Sequence, residues 1–152
     1  MNFDLLAFIK ESNMIENIDE VRPFDLQAHK DFLANPNVTV QSVCEFAKAV
    51  TEGYGKLRIH MGMDVTVGGH RPPLGGPEII KDLKEILHEV TVLTPWELHV
   101  EFECLHPFRD GNGRAGRALW LWSMRNYSQK VYSSSFLRTF YYQTLEQEQN
   151  AE

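Results

Sequence analysis

"TPWELHVEFECLH", Thr94–His106, is the stretch on which the fold of this chain turns. Leu98, Val100, Phe102 and Cys104 alternate with polar residues, the period of a half-buried strand. Its opening argues otherwise. Thr94 and Glu97 stand at capping-box spacing, Pro95 occupies the first helical position, and Trp96, Val100 and Cys104 recur every fourth residue, as they would along one helical face. We read a helix, and with it a mainly α chain.

Downstream the pattern breaks at "HPFRDGNGRAGR", His106–Arg117, where one imidazole, one carboxylate, three glycines and three arginines fall within a short run. A helix interior disfavours this composition, because each glycine costs about 1 kcal/mol relative to alanine. From Gly111 onward Ala115, Ala118, Leu119 and Trp122 restore helical spacing, and "SSSFLRTFYYQTLEQEQ" predicts a last helix. Upstream, "PEIIKDLKEILHEV" is helical, with Pro77 in the first turn and a stripe of Ile79, Ile80, Leu83, Ile86, Leu87 and Val90. Before it Leu57, Ile59, Met61, Met63, Val65 and Val67 alternate around Gly62, which predicts a small β-hairpin closed by "GGHRPPLGGP". Three more helices precede the hairpin. "NFDLLAFIKES" has Asn2 as cap and Phe3, Leu5, Leu6 and Ile9 at helical spacing; "DLQAHKDFLANP" is capped by Asp25 and stopped before Pro36; "TVQSVCEFAKAVTEG" turns Val40, Val43, Ala47 and Val50 to one side. The expected architecture is one compact, mainly α domain, a helical bundle with a β-hairpin flap.

The chain's 152 residues can bury a core without disulfides or a structural metal. A net charge of -6 excludes the broad basic face needed to wrap nucleic acid or lie on anionic lipid, so neither nucleic acid nor membrane is expected as a partner. Cys44 and Cys104, both among apolar neighbours, read as free thiols of a reducing compartment. The opening residues lack the basic flank and cleavage site of a signal peptide, and no apolar run spans a bilayer, which together predict a cytoplasmic protein.

Positive charge is therefore local, and it sits on a phosphate-binding pattern. If one helix ends near His106 and the next starts at Gly111, the loop between them feeds a helix N-terminus, where unpaired N–H groups and the macrodipole attract anions. Gly111 and Gly113 let a phosphate approach the backbone. Arg114 and Arg117, three apart, reach one polyphosphate together. Asp110 supplies an oxygen suited to Mg²⁺, and His106 a base with a reference pKa of about 6.5. Singly, each would pass as a capping or solvated loop residue; the joint pattern is what points to a nucleotide, a metal and a base in one loop.

That pattern matches in full the HPFx[DE]GNGRxxR signature of Fic domains. "LHVEFECLHPF" resembles the helix leading into the Fic motif and "LRIHMGMDVTVGGHRPP" the family's flap, so the resemblance spans most of the chain. It implies a Fic fold and an adenylyltransferase that moves AMP from ATP, with Mg²⁺, to a Ser, Thr or Tyr hydroxyl of a target protein, releasing pyrophosphate. Carried over, His106 is the general base and Asp110 the metal ligand. Gly111, Asn112 and Gly113, with the Asn112 side chain, stabilise the α-phosphate. Arg114 takes the β-phosphate, Arg117 the γ-phosphate, and Phe108 anchors the loop. The flap run from Leu57 to Val67 offers a strand edge for target docking.

"SNMIEN", Ser12–Asn17, fits the family's [ST]xxxE[GN] inhibitory motif, at the end of an N-terminal helix as in one class of the family. The resemblance implies that Glu16 pairs with Arg117 and denies it to the γ-phosphate, with residues 1–20 an inhibitory helix packed on a Fic core of 21–152. It leaves three readings open beside AMP transfer: removal of AMP, transfer of another nucleotide or phosphate group, and a non-catalytic nucleotide-binding module. A homo-oligomer also stays open.

Overall fold

The computed structural model describes residues 4–124; the Asn2 cap, Phe3 and the helix expected over 133–149 lie outside them. Six helices run through the described part: α1 (Leu5–Ile15), α2 (Pro23–Ala34), α3 (Val40–Val50), α4 (Glu78–His88), α5 (Pro95–Leu105) and α6 (Asn112–Met124).

The ambiguous stretch is α5. Thr94 Oγ1 accepts from the Glu97 N–H at 3.2 Å, and the Glu97 carboxylate accepts from the Thr94 N–H at 3.3 Å, closing the capping box. Its strand-like alternation has a physical origin: α5 is central and buried nearly all round, so His99 and Glu103 lie inside with Leu98, Val100, Phe102 and Leu105. α6 packs along it, buried at nearly every position, and α3 and α4 close one side. Phe46, Ile79, Leu83, Leu98, Phe102, Phe108, Leu119 and Trp122 form the main core.

α1 lies across α2 and α6, where Phe8 stacks on Trp120 with ring centroids 6.4 Å apart. Its buried face is Phe8 and Ile9, whereas Leu6 is 52% exposed, so the stripe expected through Leu6 is rotated. Asp4 caps this helix, accepting from the Ala7 N–H. α2 starts earlier than expected, at Pro23. Asp25 is not its cap; from the first turn it reaches back to accept the Arg22 N–H at 3.0 Å.

The hairpin does not form. Among the described residues there is no strand ladder; Leu57 bridges to Phe108 and Val67 to His70. Gly62 does sit in a turn, closed by Met63 N–H to His60 O, but its two arms do not pair. The reason lies between the apolar letters: Arg58 is fully buried and draws its arm onto the loop after α5.

Candidate active site

His106 ends α5 in a left-handed conformation, φ 50°, with its N–H still bonded to Phe102 O. The left-handed residue turns the chain away from the helix axis and sends His106–Gly111 across the end of α5. Burial pushes the imidazole down to about 4, and the Arg58 guanidinium adds to the shift. At neutral pH the ring is uncharged and can accept a proton.

Arg58 is a site residue that sequence reasoning missed. Its Nε donates to His106 O at 2.7 Å, Nη2 to Leu105 O at 3.0 Å, and Nη1 to Met63 O and Pro73 O at 3.1 and 2.9 Å. One cation thus caps the C-terminal carbonyls of α5, where the helix dipole favours positive charge, and ties the flap segment to the loop that follows α5. Its only sequence signal was an arginine inside an apolar run, which reads equally as the solvent side of a strand.

The loop closes on itself through Asn112. The Phe108 N–H donates to Asn112 Oδ1 at 2.8 Å and Asn112 Nδ2 donates to Phe108 O at 2.7 Å, with Phe108 fully buried below. Both ends of the Asn112 amide thus help to shape the loop. Asp110 is half exposed at the loop's mouth; its Oδ1 accepts from the Gly111 N–H at 2.8 Å and lies 3.7 Å from Arg114 Nη2. Gly111 has φ 87° and stands over Thr51. The first intrahelical bond of α6 runs from Ala115 N–H to Gly111 O, so the N–H groups of Asn112, Gly113 and Arg114 precede the ladder, as in an anion seat.

A carboxylate lies beside this first turn. Glu16 Oε2 lies 2.9 Å from Arg117 Nη2 and 2.9 Å from where a Cβ on Gly113 would stand. Arg117 is almost wholly buried; its Nε donates to Ser12 Oγ at 2.7 Å and its Nη2 to Ser12 O at 3.1 Å. Asn17 is left-handed, φ 63°, and its N–H bonds to Met14 O while Ile18 N–H bonds to Asn13 O, the two bonds of a Schellman cap. Every specified letter of "SNMIEN" is thus accounted for, since Ser12 and Glu16 hold Arg117 and Asn17 takes a conformation few side chains tolerate. Arg114 points elsewhere, its Nη1 donating to Val50 O at 2.7 Å. Of the flap residues, Ile59 and Met61 are exposed and Leu57, Met63, Val65 and Val67 half-buried.

Behind the motif lie further polar groups. Asn13 Nδ2 donates to Asp25 Oδ2 and to Glu20 O, and Asp25 also takes Arg22 Nε at 2.8 Å, which fastens the end of α1 to the start of α2. Burial raises the Asp25 carboxyl, but the Arg22 hydrogen bonds outweigh it and leave it below its ordinary value. His99 Nδ1 meets Gly116 O at 2.7 Å, and burial pushes that imidazole down to about 3.

The Fic/DOC family model matches residues 37–124, which takes in α3 to α6 and the whole loop. The chain belongs to the Fic/DOC family. α1 and α2, with Glu16, precede the matched stretch. No curated protein sequence matches the chain. Membership makes it a transferase-type Fic domain of mainly α fold, and no helix among its described residues is long and apolar enough to cross a membrane.

Proposed function

We propose that this Fic domain transfers AMP from ATP to a hydroxyl side chain of a target protein and that Glu16 restrains it. The observation that carries the reading is the Glu16 carboxylate lodged at the first turn of α6, on Arg117 and against Gly113, in the loop that also carries a neutral His106. An internal carboxylate there stands in for the γ-phosphate oxygens of ATP.

With Glu16 withdrawn, Arg117 receives the γ-phosphate and Arg114, released from Val50 O, the β-phosphate. The first-turn N–H groups of α6 face the α-phosphate, where charge grows during attack. His106 takes the proton of the target hydroxyl as its oxygen bonds to the α-phosphorus; the bond from that phosphorus to the bridging oxygen breaks, and pyrophosphate departs. Asp110 fits Mg²⁺, which commonly takes one or two carboxylates and fills its shell with phosphate and water oxygens. Held there, the ion would offset charge on the α- and β-phosphates. The exposed Ile59 and Met61 beside the loop suit a docking target segment.

The test uses ATP labelled at the α-phosphate with purified wild type, Glu16→Gly and Glu16→Gly/His106→Ala. Glu16→Gly is expected to transfer label to itself or to lysate proteins about tenfold faster or more, equivalent to roughly 1.4 kcal/mol of barrier. Adding His106→Ala abolishes transfer while ATP still raises Tm. Equal rates for wild type and Glu16→Gly overturn the restraint, and undiminished transfer without His106 removes it from the mechanism. Label lost from a pre-modified target on wild type but not on Glu16→Gly would make AMP removal the working direction.

A further inference from the structure

Arg58 is fully buried, and its four side-chain hydrogen bonds all end on carbonyl oxygens, none on a carboxylate. The two sides of the guanidinium serve different segments. Nε and Nη2 hold His106 O and Leu105 O at the end of α5, at 2.7 and 3.0 Å, while Nη1 holds Met63 O and Pro73 O of the flap segment, at 3.1 and 2.9 Å. The backbone of the same residue repeats the pattern: its N–H donates to Pro107 O and its carbonyl accepts from the Gly76 N–H, both at 2.9 Å.

Each end of this bridge is constrained. On the flap side a Cβ at Gly75 would stand 2.5 Å from Met63 O and 2.9 Å from His60 O, so the Met63 carbonyl is boxed between Gly75 and Arg58. On the other side His106 is left-handed, φ 50°, a conformation that a residue with a Cβ keeps only where its surroundings over-determine it. Its N–H is fixed by Phe102 O and its carbonyl by Arg58 Nε. We propose that Arg58 is the positioning residue of His106: it holds the left-handed turn that sets the imidazole, and it makes that turn depend on where the flap carbonyls stand. A displacement of the flap is thereby felt at the base, although Arg58 itself touches no reacting atom. The bridge needs a planar fork, because the single ammonium of a lysine cannot span both pairs of carbonyls. The inference rests on the reading of His106 as the base, and its test lets the two fail separately.

The first measurement needs no nucleotide. Amide hydrogen exchange and the ring resonances of His106 are followed by NMR in the full chain as wild type, Gly75→Ala, Met61→Ala, Arg58→Lys and Gly75→Ala/Arg58→Lys. Gly75→Ala pushes on the Met63 carbonyl; it is expected to shift the His106 ring and to speed exchange of the His106 amide about fivefold or more, at the low end of ordinary coupling between sites. Met61→Ala changes an exposed flap side chain without touching those carbonyls, and should leave His106 as it was. In the Arg58→Lys background Gly75→Ala should add nothing further at His106. An unmoved His106 in Gly75→Ala overturns the proposal without any substitution at Arg58, and so does an equal response with and without Arg58.

The second measurement takes the reaction itself, with α-labelled ATP and self-transfer in the Glu16→Gly background. Adding Arg58→Lys should lower the rate at saturating ATP about tenfold or more, as misplacement of a reacting group does. The ATP concentration for half-maximal rate should stay within about twofold, because the phosphate contacts lie on α6. An equal ATP-induced rise in Tm in the two proteins sets this apart from loss of folded protein. An unchanged rate, or a loss confined to ATP half-saturation, overturns the proposal. If Glu16→Gly itself transfers no AMP, the proposed function fails instead, and the first measurement still decides whether Arg58 carries flap displacement to His106.

Discussion

Gly113 has no side chain because two charges meet where one would stand: a Cβ would lie 2.9 Å from Glu16 Oε2 and 3.0 Å from Arg117 Nη1. Gly113→Ala should part the pair, as Glu16→Gly does, yet narrow the same seat to phosphate. The expected outcome is no activation and a loss of ATP affinity of about tenfold or more, about 1.4 kcal/mol, read by calorimetry in the Glu16→Gly background. Asn112→Ala should strip both bonds from Phe108 and leave a buried N–H without its acceptor, costing roughly 1–3 kcal/mol in urea unfolding. At this scale the motif letters were legible because phosphate chemistry restricts them to a few types at fixed spacing. Arg58 and Glu103 were not, because a polar residue folded inward reads, within its own sequence neighbourhood, like one turned to water.

At the level of elements, α1 shows how much of a motif is backbone. The left-handed Asn17 lets the chain reverse so that Asn13 can reach Asp25 and Glu20 O while Glu16 stays on Arg117. Asn17→Gly should leave the restraint intact. Asn17→Val meets the left-handed penalty of about 1–2 kcal/mol in full, so it should lower hydrogen-exchange protection across α1 and raise transfer toward that of Glu16→Gly. Helices were readable wherever apolar spacing recurred every third or fourth residue, as in α3 and α4, and in α5 the capping box decided against a strand-like alternation. The start of α2 was misplaced because Asp25, a good cap by type, works from inside the first turn. The flap was misread because its first arm pairs with Phe108 in the loop after α5, far along the chain, and periodicity carries no information about so distant a partner.

For the whole molecule, buried titratable groups set a pH profile. Burial lowers His29 and His106 to about 4 and His99 to about 3, while it raises Glu103 to about 8. Below the ordinary histidine value of about 6.5, the unfolded chain gains protons on these imidazoles that the folded protein refuses, so stability falls as pH drops toward 4. Glu103 acts in the opposite sense. The folded protein keeps its proton while the unfolded chain sheds it above about 4.5, so this group's contribution declines as pH climbs toward 8. In mid-acid solution the histidines outnumber the carboxyl and the net slope is upward. Above about 6.5 only Glu103 of the four still titrates, which puts the expected maximum near pH 6.5. Urea midpoints from pH 5 to 9 would check this, and Glu103→Gln should flatten the alkaline limb and steepen the rise on its acid side. Equal midpoints at pH 5 and 6.5 would contradict the neutral histidines.

The short connection from Asn17 to Arg22, which joins α1 to α2, also makes the proposed restraint a matter of dilution. A carboxylate on so brief a tether meets Arg117 at an effective concentration in the millimolar range or above, whatever the protein concentration in the tube. On the proposed function, ATP then competes with a ligand that cannot diffuse away. A protease site inserted among residues 18–20 would remove that advantage at a stroke. Before cleavage, specific transfer activity should be independent of protein concentration; after it, α1 becomes an ordinary peptide inhibitor, and activity should rise as the sample is diluted below the peptide's own dissociation constant.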